Sequence, residues 1–241
     1  MVCSLSPGGP EDPVRHRLVI VEGIMGSGKS TTMRFIAKSL LEANRRALPI
    51  HERTDPHPVR ATDELEHWFQ PWLDTTPEHL AQRSVARWAA FVETMQAGDV
   101  VPVMDGQLFH GDLTHVFLIE ADASIIERYM QALATAVAPL NPLVVYFRQE
   151  DVEEAIRLVC AERGDEWVAY QVNWKLAAPY SVRRKFAGLE GLIDLYRDYR
   201  RMTDQLFERL PFDKLMIENS GRDWPTYHQQ ILKALGLPAK V

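Results

Sequence analysis

Leu18-Val19-Ile20-Val21-Glu22-Gly23-Ile24-Met25-Gly26-Ser27-Gly28-Lys29-Ser30-Thr31 is the stretch that settles how this chain folds. Its first four residues are apolar and mostly β-branched, with no polar alternation. Such a run suits a parallel strand covered by helices on both faces. Gly23 to Ser30 then satisfies G-x-x-x-x-G-K-[ST] between that strand and a helix, which is the context the pattern requires. Glycines let successive backbone N–H groups point into one concavity, and the helix start adds partial positive charge, so the loop suits a phosphate chain. The phosphate-side candidates are Gly23, Ile24, Met25, Gly26, Ser27, Gly28, Lys29, Ser30 and Thr31. Lys29 is placed to reach the β- and γ-phosphates and Ser30 to ligate Mg²⁺, which makes ATP and Mg²⁺ the expected cofactors.

Outward from this stretch, strands and helices alternate. A helix is expected over 29–43 and a strand near 47–51, followed by a loop that Pro56 and Pro58 enforce. Thr76-Pro77-Glu78 is a helix start, with a capping Thr, Pro at the first helical position and an acid in the first turn. That helix runs to Ala97, and a strand over 100–104 follows, with Pro102 awkward inside it. Further helices are expected over 124–136, 151–163, 189–209 and 225–235, and further strands over 143–147 and 214–218. The alternation predicts right-handed βαβ crossovers and an α/β chain of three α/β/α layers around a mainly five-stranded parallel sheet. Residues 1–16 are rich in Pro and Gly and read as a flexible tail, and 17–241 read as one domain. Within it, 165–188 is a candidate helical lid.

Carboxylates at strand ends face the crevice where α/β sheets hold ligands. Asp105 stands there as a direct or indirect Mg²⁺ ligand, a substrate contact, or a plain cap ahead of Gly106. Glu52 reads as the base that takes a proton from an attacking hydroxyl, or as an exposed loop acid. Glu22 reads as catalytic or as a brace for the loop. Arg183 and Arg184, with Lys185, are lid cations that could stabilise charge developing in phosphoryl transfer, or a solvated face. Arg157 and Arg163 are rivals for that work. Trp88 and Phe91, at i and i+3 on the helix 77–97, could stack on a base or line the core. Among the eight histidines no metal-ligand spacing occurs, and only His110 near Asp112 draws notice.

The 241 residues are 46% hydrophobic and 25% charged, ordinary for a soluble globular protein. Two cysteines argue for a reducing compartment and against a disulfide scaffold or cysteine-metal site. A net charge of −6 argues against broad nucleic-acid binding. With no apolar run of bilayer length and no secretory leader pattern, membrane association is not expected and a cytoplasmic location is. A homodimer is compatible with all of this.

The quoted stretch resembles the opening of the deoxynucleoside kinase and thymidylate kinase group of P-loop kinases. The resemblance continues in order: Glu52 where deoxynucleoside kinases place their general base, Asp105 at the acid of a [DE]-R motif, Leu143 to Gly164 at the strand, helix and lid entry, and Ile217-Glu218-Asn219-Ser220 at the last strand, whose following loop touches adenine. Gly106 departs from the pattern where the group has arginine. The resemblance implies a P-loop fold and γ-phosphate transfer to a hydroxyl or phosphate of a nucleoside- or nucleotide-like acceptor. A kinase for another metabolite or antibiotic fits the same parts. A regulatory or mechanical NTPase is a different class; its guanine-specific version calls for an N-K-x-D motif, which is missing. A nucleotide-binding module without catalysis is a third.

Overall fold

The computed structural model describes residues 15–238. Its strands are β1 (Leu18–Gly23), β2 (Ala47–Ile50), β3 (Val101–Asp105), β4 (Pro142–Arg148) and β5 (Asp213–Glu218). They form one all-parallel sheet in the order β2-β3-β1-β4-β5. The helices are α1 (Lys29–Glu42), α2 (Pro77–Gln96), α3 (Asp112–Leu118), α4 (Ala123–Val137), α5 (Val152–Arg163), α6 (Asp165–Lys175), α7 (Pro179–Arg183), α8 (Gly188–Arg209) and α9 (Trp224–Ala234).

The uninterrupted apolar run of β1 has its reason in the layers. Val19 and Val21 pack under α1 and α9 with Met33, Ile36, Leu40 and Ile231. Leu18 and Ile20 face the other way, toward Trp88, Tyr129 and Leu206 of α2, α4 and α8. A strand buried on both sides has no face to leave polar, so alternation disappears. Trp88 is fully buried and Phe91 nearly so, which places both in the core and away from any base-stacking role.

Pro102 does not break β3. It lies opposite Leu48 of the edge strand, and pairing with β1 begins only at Val103, so the central ladder asks no donor of it. Thr76 caps α2 by accepting from the His79 N–H, and Asp151 caps α5 by accepting from Glu154.

Two readings change. Of the expected tail, residues 1–14 lie outside the described residues, but Arg15 and His16 are held: Arg15 pairs with Asp213, and His16 is buried with Nδ1 3.2 Å from the Asn141 carbonyl. The helix α3 carries no start signal in the sequence and goes unexpected, because its cap is Gly111 with no side-chain acceptor. A third apolar cluster covers the carboxyl end of the sheet, joining Ile24 and Met25 to Phe117, Ile156, Leu192, Tyr196 and Tyr199. Segment 165–188 belongs to it: Trp167, Val172, Trp174, Leu176, Tyr180 and Phe186 all pack there. Among the described residues, no helix is long and apolar enough to cross a membrane.

Candidate functional site

The loop between β1 and α1 is built for close approach to its backbone. Gly23, Gly26 and Gly28 have φ of +147°, +76° and +86°, values that side-chain-bearing residues rarely adopt. A Cβ on Gly28 would also come within 2.3 Å of the Trp224 ring, and one on Gly26 within 2.8 Å of Val159. Gly28 precedes α1 and no side chain caps that helix, so its first-turn N–H groups remain for a ligand. Asn219, just past β5, donates from Nδ2 to the Ser27 carbonyl at 2.8 Å and pins the loop from the far side. The buried hydroxyl of Ser27 has no partner among the described residues.

Lys29 is 6% exposed, and its Nζ donates to the Ile24 carbonyl at 3.1 Å across the loop. Ser30 Oγ donates to Asp105 Oδ2 at 2.5 Å, and His51 Nε2 lies 3.4 Å from the same oxygen. Asp105 Oδ1 is buried without a partner among the described residues. A hydroxyl and a carboxylate with a spare buried oxygen are the hard donors that Mg²⁺ selects when phosphates and water complete its shell. Among the described residues there is no group of three or more His, Cys, Asp or Glu that could hold a metal without such help.

Glu22 is a brace, but not for its own loop. Its carboxylate accepts the N–H groups of Leu108 (2.7 Å), Phe109 (2.9 Å) and His110 (3.2 Å), fixing the turn after β3. Complete burial pushes it up to about 7, against those donors and the Lys29 charge. That turn presents His110, whose Nε2 lies 3.6 Å from Glu52 Oε2. Burial drives His110 down to about 3, aided by the charge of Lys29. Burial alone would raise Glu52, but His110, Lys29, His51 and Arg53 outweigh it and hold the carboxyl below its ordinary value. The result is a carboxyl whose charge is favoured by the cations gathered around it, the lysine of the loop among them.

Glu52 sits two residues past the end of β2, and its own carbonyl accepts from Arg60 Nη1 at 2.6 Å, which holds the turn. Among the described residues, no hydrogen bond joins His110 to Asp112, two positions on. Asp112 instead accepts the N–H groups of Ala61 and Thr62.

No protein-family model matches the chain, and no curated protein matches it. The site therefore has to be read from its own geometry.

Lys29, Ser30, Asp105 and Glu52 come together; Arg183 and Arg184 do not join them. Both guanidiniums bind Glu120 Oε1, at 3.2 and 2.9 Å, and Arg184 also lies over the Tyr180 ring. Arg157 is likewise taken, by Glu153 and Glu190. The cation that segment 165–188 does bring to the site is Lys175, which feels the charges of Glu52 and Lys29. Nothing local marks it, since α6 has no apolar stripe and Lys175 is its one buried residue.

Proposed function

We propose that the chain is an ATP- and Mg²⁺-dependent kinase of the P-loop type, transferring the γ-phosphate to a hydroxyl or phosphate of a small nucleoside- or nucleotide-like acceptor. One observation carries the reading: a phosphate-shaped glycine loop with Lys29 and the Ser30–Asp105 pair stands beside Glu52, whose carboxylate lies 3.6 Å from His110. The resemblance of residues 18–31, Glu52 and Asp105 to deoxynucleoside and thymidylate kinases supports the same choice.

The residues divide the work in a way that follows from their chemistry. Loop N–H groups and the start of α1 would hold the phosphate chain, and Lys29 would exchange the Ile24 carbonyl for a phosphate oxygen. Ser30 and Asp105 would hold Mg²⁺, which neutralises phosphate charge and orients the oxygens when bound. For a hydroxyl acceptor, Glu52 takes the proton as the acceptor oxygen forms its bond to phosphorus, and the bond to the β-phosphate oxygen breaks with its electron pair leaving on ADP.

ADP release measured with a panel of nucleosides and nucleoside monophosphates tests this. Release that requires one acceptor and Mg²⁺ supports the kinase. Equal release without any acceptor makes the chain a hydrolase, and no ATP binding at millimolar concentration removes the reading.

A further inference from the structure

His51 directly follows β2 and directly precedes Glu52. Phosphoryl transfer as divided among Lys29, Ser30, Asp105 and Glu52 gives its ring no task, yet both ring nitrogens are placed. Nδ1 accepts the Arg53 N–H at 3.0 Å. A ring nitrogen that accepts carries no proton, so the neutral imidazole is protonated at Nε2. That nitrogen lies 3.4 Å from Asp105 Oδ2. Thr54 donates back to the His51 carbonyl at 2.9 Å, so the ring stands on a closed turn that also carries Glu52.

Asp105 is fully buried, and a buried carboxylate is costly unless its oxygens are served. Oδ2 takes the Ser30 hydroxyl at 2.5 Å, and Oδ1 takes no donor among the described residues. A Ser30 hydroxyl engaged with Mg²⁺ is less available to Oδ2, while Oδ1 is the oxygen left for the ion. Oδ2 then depends on another N–H, and the one facing it is that of His51. Carboxylates at a metal are themselves hydrogen-bonded, and loss of such an outer donor costs about 10–100-fold in metal affinity or activity.

We propose that His51 is the positioning residue of the metal side: its Nε2–H holds Asp105 Oδ2, which leaves Oδ1 for the ion, and the Arg53 N–H fixes the tautomer that this requires. The inference rests on the kinase reading only for the ion's being Mg²⁺ carried with nucleotide. One turn thereby sets both carboxylates, Asp105 through the ring and Glu52 through the chain.

The tautomer is read first, without metal. The full chain labelled with ¹⁵N-histidine is observed by NMR at pH 8, and the His51 ring resonances are assigned by their loss in His51→Gln. A neutral ring protonated at Nε2 is expected. A ring protonated at Nδ1, or a charged one, overturns the proposal: the first has no Nε2 proton to donate, and the second has no Nδ1 lone pair to accept.

Metal affinity is read next, with Mn²⁺ as the probe because carboxylate and hydroxyl donors suit it as they suit Mg²⁺. Binding to the chain saturated with ADP is followed by loss of the free-ion EPR signal. His51→Leu should weaken Mn²⁺ by about tenfold or more with ADP affinity unmoved, and His51→Gln, whose amide N–H can replace Nε2–H, should recover to within about threefold. Unchanged affinity in His51→Leu overturns the proposal. Equal losses in the two variants also overturn it, since a ring that merely packs would give that result. Should His51→Leu fail to fold, His51→Asn takes its place, because its side-chain oxygen can still accept from Arg53 while its amide stops short of Asp105. If ADP does not bind, the kinase reading falls, and the same series with Mn²⁺ alone decides the proposal by the same outcomes.

Discussion

Lys29 and Lys175 are both buried within range of the charge of Glu52, but the chain holds them in different ways. Lys29 belongs to an eight-residue loop and rests on a carbonyl of that loop, Ile24. Its neighbours in sequence are its neighbours in space. Lys175 sits at the end of α6 on an aromatic ring, with no hydrogen-bonding oxygen among the described residues, and feels the charge of Glu52 across 123 residues of chain. Phosphate loops can be written locally because backbone N–H groups do the binding. A cation that must meet a distant carboxylate needs the whole third cluster to place it.

The widest gap between the two lysines should appear on removing the first. Lys29→Ala should lower kcat/KM by roughly 10³–10⁵-fold, the range for taking a cation from a transferring phosphoryl. ADP release within threefold of wild type would mean that the loop lysine serves no phosphate, and the contrast with Lys175 would disappear.

Glu52 is the group that both lysines address, so altering it tests whether they share a reaction. Glu52→Gln should reduce kcat by about 10²–10⁴-fold with little change in ATP binding, as for loss of a general base. Full kcat on the accepted acceptor would move the base elsewhere, with Asp105 next in line.

A smaller effect separates the lysines by pH. Lys175 is lowered to about 7, so its ammonium is present below that value and lost as pH rises through it. Turnover that draws on that charge should therefore fall about 25-fold between pH 6.5 and 8.5, following the charged fraction. Among the groups around Lys175, His110 and His115 are both driven to about 3 by burial and do not titrate in this window, and Glu52 is held below its ordinary value. Glu22, pushed up to about 7, titrates behind the His110 backbone in wild type and variant alike. Lys175→Arg should therefore flatten the profile, and a profile that persists in it would assign the dependence to Glu22.

The least effect is expected from the arginines that the sequence favoured. Arg183→Ala and Arg184→Ala together should leave kcat within about threefold, and each exposed pair with Glu120 should contribute less than about 1 kcal/mol to stability in urea denaturation. A large loss of kcat would show that one of them leaves Glu120 to reach the phosphates.

The residues themselves explain how far the sequence could be read. The five strands, the loop over 23–30, and the caps Thr76 and Asp151 are signalled by neighbours a few positions away, through β-branched runs, glycine spacing and capping chemistry. Glu52 and Asp105 were legible because strand ends in a parallel sheet face one crevice. His51 near Asp105, Trp224 over Gly28 and Asn219 on Ser27 were not, since each contact joins segments more than 50 residues apart.

The sequence alone thus determined the parallel sheet, the glycine loop and the two carboxylates beside it, because short-range patterns and backbone sterics specify all three. Which cation faces Glu52 was decided only in three dimensions. Burial of Trp167, Trp174 and Tyr180 against α5 and α8 packs α6 and α7 over the loop, and Glu120 captures the arginines. The same packing leaves Lys175 facing inward. A side chain's charge is written in the sequence, but its desolvation and its partners follow from packing.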